Sequence, residues 1–165
     1  MKSVEMSNAM KEGMRRLASG VCVITAKDST GGAYAMTATS VTSVSDQPAS
    51  LLVCINKDTR MYQAIEEGGD FCVNLLTHDQ EEISNRCASG DQGEDRFQSG
   101  QWQEMRSLPY LESGLAAFFC RQAQSVDFGT HRIVIGEIQE VLVAKDDIIN
   151  PLIYLNGGYG TLGGQ

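Results

Sequence analysis

Apolar residues recur along this chain with two periods, and the change from one to the other outlines the elements. From Asn8 to Ala18 the period is helical. Met10, Met14 and Leu17 fall at i, i+4 and i+7 on one face, Ser7 stands at the N-cap, and Gly20 supplies the stop. Val21 to Ala26 is then a β-rich run, Asp28-Ser29-Thr30-Gly31-Gly32 a hairpin turn, and Ala33 to Met36 the returning strand. Gln47-Pro48 breaks the chain before a buried-type strand, Ser50 to Ile55. Asp58 is placed to cap a short helix through Glu67, which Gly68-Gly69 ends. Asp70 to Leu76 reads as a strand, and Thr77-x-x-Gln80 is a capping-box pattern opening a helix to about Ala88. Ser89 to Gly100 is polar and glycine-rich and reads as a mobile loop. Ala116 to Val126 and Arg132 to Val143 are long strands, Pro151 to Leu155 is the last, and Gly157 to Gln165 is a glycine-rich tail.

These elements amount to six or seven strands and two or three short helices. Helices do not alternate with strands, which disfavours a doubly wound parallel sheet. The pattern predicts a mainly β chain, folded as a closed or nearly closed antiparallel barrel with peripheral short helices. With no internal repeat and no dividing linker, residues 1–165 are read as a single domain.

Composition narrows the function. The chain carries 13 basic and 21 acidic residues, a net charge of −8, and the basic residues are scattered. Phosphate-backbone binding needs clustered Lys and Arg, so nucleic acid is not an expected partner. No apolar run reaches membrane-spanning length and no signal-peptide pattern opens the chain, so neither a membrane nor export is expected. The five cysteines are odd in number and widely spaced, mostly inside apolar runs, which suits reduced, buried thiols in a cytoplasmic protein. Dinucleotide fingerprint, P-loop and nucleophile elbow are all missing. His78-Asp79 with Glu81-Glu82 reads as the first turn of a helix, where acids complement the dipole, and no metal is expected. His131 follows Gly129-Thr130 at the mouth of an apolar strand, a place for a functional side chain or a surface turn. Met36 to Ser45 is rich in small hydroxyl residues. It suits a flat, anionic ligand held mainly by backbone, and equally a Thr-rich edge strand.

Several motifs occur together in one order. They are Arg16-Leu17-Ala18-Ser19-Gly20-Val21-Cys22-Val23-Ile24-Thr25, Met36-Thr37-Ala38-Thr39-Ser40, Thr42-Ser43-Val44-Ser45 and Leu52-Val53-Cys54-Ile55-Asn56. Phe71-Cys72-Val73-Asn74-Leu75-Leu76, Arg86-Cys87-Ala88, Gly129-Thr130-His131, Ile135-Gly136-Glu137 and Pro151-Leu152-Ile153-Tyr154 follow. Over about residues 10 to 160 the chain resembles the flavin reductase-like, FMN-binding split-barrel family, which includes the reductase components of two-component monooxygenases.

The resemblance implies a six- or seven-stranded antiparallel split barrel that forms a homodimer. It implies an NAD(P)H:flavin oxidoreductase using FMN or FAD with NADH or NADPH, and passing reduced flavin to a separate flavin-dependent monooxygenase. Cofactor binding then falls to Met36, Thr37, Ala38, Thr39 and Ser40, to Cys54, Ile55, Asn56 and Lys57, and to Ser84, Asn85, Arg86, Cys87 and Ala88, joined by Tyr159. Arg86 and Lys57 are the candidate phosphate partners, His131 is placed where the nicotinamide stacks, and Met14 to Val21 borders that site. The chain departs from the family pattern at Leu17, Cys87, Thr130 and the Asn156-Gly157-Gly158-Tyr159 turn. Two other readings remain on the same barrel: a flavin-binding electron carrier or sensor, and an interaction module without flavin. Fold does not choose among them.

Overall fold

The computed structural model describes residues 2–89 and 93–162. Its strands are β1 (Ser19–Gly20), β2 (Cys22–Lys27), β3 (Ala33–Ala38), β4 (Thr42–Asp46), β5 (Ala49–Asn56), β6 (Phe71–Leu75), β7 (Trp102–Met105), β8 (Leu108–Leu111), β9 (Ala116–Phe128), β10 (His131–Val143), β11 (Ile153–Leu155) and β12 (Gly158–Gly160). The helices are α1 (Ser3–Met14), α2 (Arg60–Ile65) and α3 (Glu81–Ala88), with a 3-10 turn at Gly93–Phe97. Seven strands form one antiparallel sheet in the order β3-β2-β6-β9-β10-β5-β4. A small sheet, β1-β11-β12, and the β7-β8 hairpin lie beside it. The mainly β split barrel expected from the sequence is what forms. No helix among the described residues is long and apolar enough to cross a membrane.

The sheet curls because its two end strands are joined directly. β3 runs into β4 through Thr39-Ser40-Val41, and the Ser40 hydroxyl meets the backbone of β5 on the far side. Its Oγ donates to the Cys54 carbonyl at 3.2 Å and accepts from the Cys54 N–H at 3.3 Å. The inward faces of β2, β5, β6 and β10 supply Ile24, Val53, Ile55, Phe71, Val73 and Val134, none of which retains solvent exposure. Asn74 is one of several buried polar residues. Its Nδ2 donates to the Val23 carbonyl at 3.0 Å and its Oδ1 accepts from the Leu111 N–H at 2.9 Å, so it ties the β7-β8 hairpin to the barrel. At Gly136 a Cβ would lie 2.5 Å from Phe71 Cζ and 2.7 Å from Cys120 Cβ, beside a bulge in the β9–β10 ladder.

The β2–β3 turn forms where the sequence places it. Asp28 accepts from the Thr30 N–H, the Thr30 hydroxyl, the Gly32 N–H and the Tyr34 hydroxyl at 2.7–2.9 Å. These donors, the Thr30 hydroxyl foremost, hold its pKa down to about 2. A depressed carboxylate stabilises above its unfolded value near 4 and loses that contribution as pH falls toward 2. We expect Asp28→Ala to lower the melting temperature at neutral pH, with the gap to the parent shrinking between about pH 4 and pH 2. A gap unchanged across that window, by circular dichroism, counts against this role.

Four sequence expectations need correction. The first helix runs over Ser3–Met14 rather than Asn8 to Ala18, and Ser7 lies inside it. Lys2 is the N-cap, its N–H received by the Glu5 carboxylate at 2.8 Å. The second helix is capped by Thr59, whose Oγ1 accepts from the Tyr62 N–H, and not by Asp58. Part of the Ser89–Gly100 stretch is built: Gly93–Phe97 forms a 3-10 turn, and Phe97 meets Trp102 edge-on at 5.0 Å. The tail contains β12, paired with β11 as Tyr154↔Tyr159; residues 163–165 lie outside the described ones. The helix at Thr77-x-x-Gln80 starts by its expected device, the Gln80 Oε1 accepting from the Thr77 N–H at 2.9 Å, with helical residues from Glu81 to Ala88.

Candidate functional site

β3 is an end strand that pairs only with β2, so one side of its backbone stays open. Three cavities run along that side. The first, of about 370 Å³, holds Thr37, Thr59, Cys87, Ser89 and Arg96. The second, of about 210 Å³, shares Thr37 and Ala88 with the first and adds Ala38, Ser84 and Tyr159. The third, of about 660 Å³, shares Thr39 and Tyr154 with the second and reaches Ser40, Cys54 and the α1 side chains Met10 and Met14. The shared residues make one elongated groove, with Arg60, Arg96 and Asp58 at one end and, at the α1 end, Lys11 and Arg15 on the rim of a largely apolar wall.

A chain of hydrogen bonds holds the middle of the groove. Thr37 Oγ1 donates to the Ser84 carbonyl at 2.6 Å. Tyr159 donates to Asn85 Oδ1 at 3.1 Å, which leaves its oxygen to receive the buried Ser84 hydroxyl at 2.7 Å. Tyr159 also packs edge-on against Tyr154, with ring centroids 5.4 Å apart. The bonds join β3, α3 and the C-terminal hairpin, three elements distant in sequence, around one point of the groove.

The Arg96 end is built differently. The guanidinium donates to the Ala35 carbonyl through one terminal nitrogen and to the Ser89 carbonyl through the other. Its Nε is buried and has no hydrogen-bond partner among the described residues. Burial pushes the Cys87 thiol beside it up to about 11, with Arg96 and Arg86 opposing that rise, so Cys87 serves as packing rather than as a thiolate.

The groove therefore gathers Met36, Thr37, Ala38, Thr39, Ser40, Cys54, Ser84, Cys87, Ala88 and Tyr159 from the sequence-derived set. The others sit elsewhere. Ile55 points into the barrel core. Asn56 Oδ1 accepts from the Asp58 N–H at 2.9 Å and shapes the loop before α2. Lys57 faces Asp127 at 3.5 Å. Asn85 reaches the groove only through the Tyr159 hydroxyl. Arg86 turns toward Glu82, at 3.4 Å, and the Asp95 carbonyl. His131 is exposed at the tip of the β9–β10 hairpin, its Nδ1 2.8 Å from Thr130 Oγ1, and it pairs across to Asn56 of β5 without lining any of the three cavities. Sequence reading missed Arg96, whose partners Ala35 and Ser89 no local pattern connects to it.

The fold and groove define a β-barrel protein with an elongated groove along the open edge of β3. The flavin reductase like domain matches residues 14–163. The chain belongs to that family. It is 40% identical over 134 residues to the FMN reductase (NADH) RutF of Pseudomonas syringae, a match covering 81% of this chain and 75% of that one. It is 39% identical over 149 residues to the reductase component of the FADH(2)-dependent resorcinol hydroxylase of a Rhizobium species, covering 88% and 82%. Among solved structures, BorF, the flavin reductase component of a bacterial two-component tryptophan halogenase, superposes with a TM-score of 0.84 at 28% identity, covering 94% of this chain and 98% of that one.

Proposed function

We propose that the protein is an NADH-dependent flavin reductase that reduces FMN or FAD and releases the product to a separate flavin-dependent monooxygenase. The observation that carries this reading is the continuous groove along β3. A flavin nucleotide has a flat ring, a polyhydroxyl chain and an anionic end, and the residues present fit all three. The wide, largely apolar end suits the ring, the Thr37–Thr39 edge suits the chain, and the Arg96 guanidinium lining the other end suits the anion. The names of the relatives point the same way.

When bound, the flavin accepts hydride from the nicotinamide and so carries the redox chemistry itself. The protein's task is alignment and electrostatics. Thr37 is fixed by the Ser84 carbonyl and Ser40 by the Cys54 backbone, which presents the β3 edge as a rigid rail. Cys54 and α1 line the ring end, and Tyr159 packs the middle.

The test follows absorbance at 340 nm with NADH or NADPH, with and without FMN, FAD or riboflavin. Oxidation that requires added flavin and saturates in it supports the reading. Yellow protein with tightly held flavin and slow oxidation supports an electron carrier instead. His131 projects beside the strand that carries Cys54, and we assign it to the nicotinamide side. His131→Ala is expected to lower kcat/KM for NADH about tenfold, within the usual range for a positioned polar group, and to leave flavin affinity unchanged. Unaltered NADH kinetics would remove His131 from the site.

The protein works as a homodimer in this reading. α1 buries none of its residues, β4 is exposed throughout, and Val126 and Phe128 stand in the open on the outer face of β9. Apolar surface of this kind marks an interface. Sedimentation at working concentration should give a dimer. The free cysteines, four of the five buried, suit a reducing, cytoplasmic setting.

A further inference from the structure

The wide end of the groove has a charge pattern unlike the rest of the molecule. The chain carries 21 acidic residues against 13 basic ones. Yet the only charged side chains lining the 660 Å³ cavity are Lys11 and Arg15, both positive. By contrast, the 740 Å³ cavity beside α3 is lined by Asp79, Asp146 and Asp147. Lys11 and Arg15 are one helical turn apart and flank Met10 and Met14. Neither has a carboxylate partner among the described residues, whereas their neighbour Arg16 is paired with Glu12 at 3.1 Å. Arg15 is also held in place. Its carbonyl accepts from the Asn156 N–H at 2.8 Å and its Nη2 donates to the Asn156 carbonyl at 3.4 Å. The guanidinium lies over Gly157, where a Cβ would come within 2.6 Å of Nη2. The turn at Asn156-Gly157 thus seats this arginine, and a side chain at Gly157 would push the guanidinium aside.

A cavity with apolar walls and two unneutralised cations on one rim fits a ligand that joins a flat ring to an anion. We propose that Lys11 and Arg15 bind the diphosphate of the reduced nicotinamide dinucleotide and set the preference for it over donors without phosphate. This rests on the reading that the protein oxidises NADH. Arg15 supplies a planar fork, and Lys11 a point charge one turn earlier.

The experiment compares NADH with dihydronicotinamide riboside, which carries the same ring and no phosphate, using riboflavin as acceptor so that no flavin phosphate takes part. Lys11→Gln and Arg15→Gln are each expected to raise KM for NADH about five- to tenfold with kcat kept. KM for the riboside should not change, and Arg15→Lys should recover most of the NADH affinity. FMN affinity, read by fluorescence quenching, should equal the parent's. An equal rise for both donors would show that the substitutions disturb α1 and would overturn the proposal. No rise for either donor, or a loss of FMN affinity, would overturn it too. If the parent oxidises neither donor with any flavin, the flavin reductase reading falls and the proposal with it. Turnover in the parent with indifferent variants removes the proposal alone.

Discussion

Arg96→Met is expected to raise KM for FMN by between about 10- and 100-fold, with KM for riboflavin nearly unchanged. The range follows from one charge-assisted hydrogen bond, worth about 1.5–3 kcal/mol. Two of the guanidinium's nitrogens already serve the Ala35 and Ser89 carbonyls, which fixes the head at the narrow end of the groove. A guanidinium carries five N–H donors, so one on each of those terminal nitrogens is left for a ligand in the cavity that Arg96 lines. Methionine keeps an unbranched stem of similar length and removes every donor. Arg96→Lys separates the two roles, since it keeps the charge and loses the fork, and it should fall between parent and Met. Because riboflavin has no phosphate, an equal rise for FMN and riboflavin would mean that Arg96 only braces the loop. That result would move the anion site elsewhere.

Gly136→Ala is expected to cost roughly 3 kcal/mol of stability, the upper part of the usual overpacking range. The new methyl would meet Phe71 Cζ at 2.5 Å and Cys120 Cβ at 2.7 Å. The Phe71 ring is wholly buried among Ile24, Val53 and Val134, and Cys120 lies on the neighbouring strand, so neither can simply swing away. Phe71→Leu in the same chain shortens the ring side of the clash and should recover part of the loss, giving a clear coupling between the two sites. Urea denaturation measures both. A cost below about 0.5 kcal/mol, or strictly additive effects, would show that the barrel breathes more than its packing implies.

Legibility in the sequence followed the range of the interaction. The β2–β3 turn was readable because Asp28 finds its partners within six residues, and the start of α3 because Gln80 reaches back only to Thr77. β4 was open only as one reading of the Met36–Ser45 stretch, a Thr-rich edge strand, because all its residues are exposed and no alternation marks it. The β7–β8 turn escaped because its positive φ values fall on Arg106 and Ser107, with no glycine to announce them. The C-terminal hairpin did carry a signal: Asn156-Gly157, with φ of 51° and 76°, is the pair that two-residue hairpins prefer. The glycines around it masked that reading. The first helix was misplaced because Ser7 is a strong cap by type while Lys2 is a weak one, and the Glu5 carboxylate makes up the difference. Within the site, the Thr37–Ser40 segment was legible by composition. Arg96 was not, since its Ala35 contact spans 61 positions.

Ser40 closes the barrel by gripping the backbone of Cys54, and both residues also face the groove. The seam of the barrel and the floor of the site are therefore the same few atoms. A mutation that reshapes the ligand there also loosens the clasp between β3 and β5, so gains in one property are taxed in the other. The opposite walls take no part in closing the main sheet. α1 contributes Met10 and Met14 without burying a residue, and the C-terminal hairpin contributes Tyr154. Evolution can vary those walls at little risk to the fold, so differences among relatives in flavin or nucleotide choice should accumulate there, while the seam stays as it is.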